Sequence, residues 1–557
     1  MRSGLFLGVA LTGLTLSSAS PSWTADEAFD VLAVSAMCTG EAASLATVTP
    51  AAAKPPMMLP GYGNGGFEPS TANPEARRWF VHGLRLARAF AHDEAKAAFA
   101  EAVRLDPDCA MCLWGQAWMD GPTINYGMSP EERTAAGKLA MRAQTMAQAK
   151  GTEKEKALAG ALVRRYAVKG GDEAFAEAMK PLAERWPEDD DILLLTADAI
   201  MVATRDDGKP REAMPLLETI LARSPDDTGA IHFYIHASEW VGEPGKAERY
   251  ADKLQGLAPG ASHLIHMPSH TYYQIGRYRD AARANLAAID VDKAWMKTTD
   301  WKESGWDLGY YGHNVRFALG GAMMSGEADA ALTIADHFAE QSLEGSASAW
   351  REMGIGSAWY ARGRFADPDK VLAMPAPAAG HPFLTAMWRY GRGEALARKG
   401  DAAGVRAEAR ALRFGAAERR VYPGGAKLLQ AQADIARLTL VGRAAMIEGR
   451  YHEAARAFRK AAERQESVLG DYRDPPPWWY PARRSLAAAL LAGGQPAPAL
   501  EQAKTVLKKW PQDPMTLLVV ARAERALGRG AMADAAEARA TAGWSAGPVA
   551  SIGLGAI

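Results

Sequence analysis

A repeat period of about 34 residues constrains this chain more than any other feature. Counted from Ala76 as position 1, the segment to Asp108 places small residues at Gly83, Ala95 and Ala102, an aromatic at Phe99 and a proline at Pro107. Small residues at positions 8, 20 and 27 let two antiparallel helices approach closely, and a proline at position 32 ends the second helix. The next unit begins at Ala110 with Ala117 at position 8, and another runs from Lys156 to Asp189 with Pro187 at position 32. Three consecutive units then begin at Leu194, Thr228 and Ser262, with Ala213, Ala247 and Ala281 at position 20 and Pro225 and Pro259 closing the first two. After an insertion the pattern resumes at Gly312 with Gly326 and Ala331, weakens near Ala386, and returns at Ile435 (Gly442, Gly449, Tyr451, Ala454, Phe458, Ala461), Tyr480 (Ala487, Ala499, Pro511) and Pro514. A chain of 557 residues would ordinarily divide into several domains. Repeats grow instead by stacking units.

The spacing, together with the turn Gly276-x-Tyr278-x-x-Ala281, resembles the tetratricopeptide (TPR) repeat over Ala72 to Ala540. The resemblance implies an all-α fold, a right-handed α-solenoid of TPR helix pairs with one concave and one convex face. Along the chain this gives a signal peptide at 1–19, an N-terminal segment and Pro/Gly-rich linker at 20–71, repeats with a histidine-lined groove at 72–295 and an aromatic insertion at 296–311. Degenerate repeats at 312–434, C-terminal repeats at 435–545 and a tail at 546–557 follow. Leu59-Pro60-Gly61-Tyr62-Gly63 and Pro475-Pro476-Pro477-Trp478-Trp479-Tyr480 are similar to segments of exported bacterial TPR proteins, a likeness that carries no chemistry with it.

Arg2, an apolar run from Leu5 to Leu16 and the small residues Ser17, Ser18 and Ala19 read as a signal peptide cleaved after Ala19. The protein is therefore expected to be exported, to the periplasm or the medium. The run is too short to span a bilayer, and no later stretch qualifies. Ser35-Ala36-Met37-Cys38 is a poor lipoprotein box, because Met precedes the cysteine and Asp26, Glu27 and Asp30 interrupt the lead-in. Cys109 and Cys112 form a C-x-x-C able to close a disulfide in an oxidising compartment. Leu113 follows where a haem-attachment motif would have His, and a structural role is favoured over a redox one. Sixty-four basic against 65 acidic residues leave a net charge of −1, so nothing attracts nucleic acid or an anionic membrane.

Six of the eleven histidines lie between His232 and His313, where an even spread would place fewer than two. In TPR proteins, as the resemblance implies, positions 2, 5, 9 and 12 of each first helix line the concave groove. His232, His236 and Glu239 fall at positions 5, 9 and 12 of one unit. His263, His266 and His270 fall at 2, 5 and 9 of the next, and His313 at 2 of the one after. Residues four apart share a helix face, so His232 with His236, and His266 with His270, each point two imidazoles one way. The pairs are one repeat apart and should sit at equal heights on neighbouring helices, whose axes pack roughly 8 to 10 Å apart. Such a gap lets imidazoles from both sides share an ion. Pro268 should kink the helix that carries the second pair. Imidazole ligation suits Cu, Zn, Fe or Ni, and no H-E-x-x-H motif indicates a zincin. Duplication of an Ile-His-x-x-x-His segment would explain two pairs, but not His263 or His313.

Aromatic residues surround this cluster: Trp114 and Trp118 at positions 5 and 9 of an earlier unit, and Trp301, Trp306, Tyr310 and Tyr311 in the insertion, which is placed to form a lid. Asp198 and Arg316 are weaker groove candidates. Two functions fit. In the first, groove histidines hold a transition metal, extending to an enzyme that activates water or dioxygen for a small organic substrate. In the second, the solenoid is a scaffold for a peptide or partner protein. The carboxylate-gripping TPR variety is disfavoured, since the first unit offers only Arg77 beside Phe80 and Leu84. No nucleotide cofactor is indicated.

Overall fold

The computed structural model describes residues 56–167, 170–204, 210–339, 341, 348–422, 424–470 and 474–557. The expected signal peptide, its cleavage point and Cys38 lie outside these residues. Among the described residues every regular element is a helix, and each helix packs chiefly against its neighbours in sequence. The repeat phase is legible in the pairs. Pro74–Arg88 packs on His92–Leu105, Asp190–Thr204 on Ala213–Arg223, and Pro514–Ala526 on Gly530–Gly543. The small residues stand where helices cross: a Cβ on Gly83 would meet the Phe99 ring at 2.8 Å, and one on Gly442 the Phe458 ring at 2.4 Å.

Several first helices end in a left-handed residue at position 15 of the unit. Gly242, Gly276, Gly326, Gly449, Gly494 and Gly528 fill it with φ between 69 and 89°. These are angles that only glycine adopts without strain. In the first unit the same position is Phe90, at φ 56°.

Residues 56–73 run without regular structure and pack Phe67 against Phe80 and Trp114, with ring centroids 5.2 and 6.2 Å away. Gly260 N–H donates to Gly61 O (2.9 Å), Leu59 N–H to His82 Nε2 (3.2 Å), and Asn64 exchanges hydrogen bonds with Thr228. Cys109 and Cys112 are disulfide-bonded and buried at the first turn of Ala110–Met119.

The array also closes on itself. Trp510 packs its ring 5.9 Å from Tyr273, Ser545 N–H donates to Ser325 O (2.9 Å), and Trp478 lies 5.2 Å from both Tyr360 and Tyr390. From the other side Asn125 donates to Tyr310 OH (3.0 Å), 185 residues on. The central repeats are thus covered by both flanks of the solenoid. No helix among the described residues is long and apolar enough to cross a membrane.

Candidate metal centre

Helix Thr228–Trp240 carries His232, His236 and Glu239 on one face. The following first helix is broken as Pro268 requires, into Ser262–His266 and Pro268–Ile275 with Met267 between them. Met267 keeps helical φ and ψ (−50° and −39°), so His266 and His270 still share one face. His313 enters from Tyr311–Ser325. All six imidazoles are buried, none more than 6% exposed. They form two triads, His232/His236/His263 and His266/His270/His313, with His236, Glu239 and His270 as a third set between them. Within each set one ligand atom per residue lies within 4.8 Å of the others.

The outward nitrogens are held by oxygen acceptors. His232 Nδ1 donates to the Arg88 carbonyl at 2.6 Å. His266 Nδ1 donates to Asn285 Oδ1 at 2.6 Å, the amide being fixed in that sense by its own Nδ2 donating to Ala281 O. His270 Nδ1 lies 2.9 Å from Glu239 Oε2 and 3.5 Å from Asp474 Oδ1, and Glu239 in turn accepts from Gln274. His313 Nε2 sits 3.3 Å from the same Asp474 oxygen. A carbonyl or carboxylate only accepts, so the Nδ1 atoms of His232, His266 and His270 carry protons, and Nε2 of neutral His232 and His266 presents a lone pair.

Those opposite nitrogens converge. His266 Nε2 and His270 Nε2 are 2.9 Å apart, and His232 Nε2 and His263 Nε2 are 3.1 Å apart. His236 Nε2 and His313 Nδ1 are buried with no hydrogen-bond partner. The His266 Nε2 lone pair facing His270 Nε2 requires a cation between or beside the two rings, either a proton or a metal ion, whereas a neutral His263 can donate its own Nε2–H to His232. Burial lowers the His270 pKa, but Asp474 and Glu239 more than offset it and lift it to about 9. Burial holds His232 at about 3 and pushes His236, His263 and His266 well below the ordinary value, so these rings are neutral at pH 7. A neutral imidazole, held at its far nitrogen by an oxygen, is the form that ligates metal.

Phe90 caps the first triad, its ring 4.3 Å from His232 and 5.0 Å from His263. Of the aromatic insertion only Tyr310 reaches the histidines, 4.3 Å from His263. Trp306 and Tyr311 pack instead on His337, and Trp301 on Trp295. Trp114 and Trp118 stack on each other, 5.6 Å apart, with the Trp114 indole donating to Leu158 O. Asp198 is buried beside Trp118 and raised to about 6, by burial first. Arg316 is half-buried on the His313 helix. Sequence reasoning missed Arg88, Phe90, Asn285 and Asp474. Only Asp474, beside the conspicuous Pro475-Pro476-Pro477 run, carried a visible signal. The cavity of about 550 Å³ lined by Arg406, Arg410, Arg413 and Arg437 includes none of the histidines.

The chain resembles the tetratricopeptide repeat proteins. No family model and no curated protein matches its sequence. Among solved structures it is similar to the APC/C hetero-tetramer Cut9-Hcn1 (14% identity, 83% of this chain and 79% of that chain, TM-score 0.30). It is also similar to the human IFIT1 dimer with m7Gppp-AAAA (12%, 87% and 92%, 0.27) and to the P58(IPK) TPR domain (12%, 82% and 98%, 0.21). These scores carry no argument about the site, which rests on this chain's own geometry.

Proposed function

We propose that this solenoid binds transition-metal ions in its interior through the two histidine triads. One observation carries the reading: the far nitrogens of His232, His266 and His270 are engaged by oxygen acceptors while the six rings gather into two sets whose ligand atoms lie within 4.8 Å of one another. Structural histidines need no such convergence, and in a low-dielectric interior it is costly unless a cation occupies it. Copper, zinc and iron all suit imidazole. An ion with an open position beside Tyr310 could activate water or dioxygen for a small organic substrate. The same burial weighs against these six rings as a peptide-gripping surface. A partner protein would use other faces, such as the arginine-lined cleft around Phe414.

The test is metal content by plasma mass spectrometry on untagged protein, dialysed against a weak chelator. One to two equivalents, lost in the His236→Ala, His270→Ala double variant, are expected. Protein that stays metal-free after reconstitution would mean that a shared proton alone holds the His266–His270 pair.

A further inference from the structure

The two triads form one continuous set of rings. His236 and His270, one from each triad, have ring centroids 5.2 Å apart, and His263 and His266 5.6 Å. Rings within a triad are 4.6 to 6.4 Å apart, so the boundary between the triads is no wider than the spacing inside them. Glu239 belongs to both, with an oxygen within 4.8 Å of ligand nitrogens on His236 and His270.

Each triad also carries a nitrogen pair at the spacing of two ligands on one ion. His232 Nε2 and His263 Nε2 are 3.1 Å apart, and His266 Nε2 and His270 Nε2 2.9 Å. Two nitrogens bonded at about 2.0–2.1 Å stand roughly 2.8–3.4 Å apart when the angle at the ion lies between a right angle and the tetrahedral value. Three imidazoles leave each ion an open position. All six rings are buried, so two ions would lie together in one enclosed interior. The carboxylates against the rings are Glu239 and Asp474, and both are already engaged with His270. Two divalent ions side by side repel strongly in such surroundings unless an anion stands between them. A ligand bonded to both ions supplies that anion and fills both open positions, as in two-metal sites, whose ions stand roughly 3.5–4 Å apart.

Resting on the reading of the triads as metal sites, we infer that the six histidines form one dinuclear centre whose two ions share a single bridging anion. In the resting protein the bridge is hydroxide, from a water molecule that gives one proton to solvent. The exogenous ligand this centre takes is a small anion able to bond two metals at once, for which azide is the probe.

The experiment loads the full apo-protein with copper(II), chosen as a paramagnetic probe, and counts its spins by electron paramagnetic resonance against copper measured by mass spectrometry. X-ray absorption confirms that the copper stays in the copper(II) state. Two equivalents are expected with less than a fifth of their spins visible, because bridged copper(II) ions couple. Azide should bind as one molecule per two coppers. His263→Ala should hold one copper tightly and show its full signal. Two equivalents with all spins visible, one equivalent that excludes a second, two azides bound independently, or a His263→Ala signal still suppressed would each overturn the inference and leave metal binding standing. The wild-type spin count and azide stoichiometry decide it even where the variant does not fold. Wild-type protein that takes up no metal defeats the metal reading itself, an outcome distinct from two uncoupled ions.

Discussion

His266 and His270 face each other with Nε2 atoms 2.9 Å apart, while Asn285 and Glu239 hold their Nδ1 atoms from behind. The pair is four residues apart in sequence and stays on one face because Met267, between the two short helices, keeps helical φ and ψ. Asn285 should therefore matter for metal as well as for stability. In Asn285→Ala the buried His266 Nδ1–H loses its acceptor, which costs about 1–3 kcal/mol. Loss of such an outer partner also lowers metal affinity by roughly 10- to 100-fold. Chelator competition and denaturant unfolding measure the two effects separately.

Phe90 occupies a left-handed position that six other units give to glycine. A bulky residue there carries strain of about 1–3 kcal/mol. Phe90→Gly relieves that strain but removes a buried ring from the first triad, a loss of about 3–5 kcal/mol for an ordinary core phenylalanine. The net destabilisation should be smaller than that range, about 2 kcal/mol once the strain relief is deducted. Metal transfer to an external chromophoric chelator should become at least tenfold faster, read by stopped-flow absorbance.

Asp292 is buried and accepts from Asn314 Nδ2 at 3.0 Å, next to His313 in sequence. Burial raises its pKa from 3.8 to about 7, against the lowering effect of hydrogen bonds from Ser262 and Asn314. The folded state therefore holds this proton more tightly than the unfolded chain. The contribution is complete below about pH 4 and is lost as pH rises through about 7, with a ceiling on the order of 4 kcal/mol. Asp292→Asn should erase that slope, so that the variant gains on wild type between pH 4.5 and 7.5 in thermal melts. A constant difference across this range would show that Asp292 stays ionised.

Gly276 and Gly326 sit where the C-terminal repeats return to the centre. A Cβ at Gly276 would stand 2.5 Å from Gln512 Cβ, and one at Gly326 2.6 Å from the Trp544 ring. Gly276→Ala, Gly326→Ala adds left-handed strain of about 1–2 kcal/mol at each position and should pry this contact open. Faster amide exchange over residues 262–275 is expected, with earlier proteolysis in the C-terminal repeats. Unchanged exchange would mean that the closure does not depend on these two contacts.

The repeat phase and the six histidines at one set of positions were legible because both are periodic. Small residues at 8, 20 and 27 and a proline at 32 are local packing requirements that return with each unit. Pro268 announced the helix break for the same reason, since a missing N–H acts within one turn. The aromatic insertion was harder to read. Its composition suggested a lid, yet Trp301, Trp306 and Tyr311 found partners in Trp295 and His337, and Tyr310 alone turned toward the histidines.

By itself, then, the sequence determined the helix pairs, their order and the face on which the imidazoles project, because each follows from interactions within about one repeat. Only the tertiary structure decided that this face would be buried instead of open. Trp510 meets Tyr273, Asn125 meets Tyr310 and Asp474 meets His270 and His313, each contact joining units far apart along the chain. The curvature that brings them together is the accumulated small rotation of many repeats, which no single unit specifies. That closure withdraws the histidines from water, leaves four of them neutral and brings Asp474 to His270 and His313, while Glu239 lies between the triads.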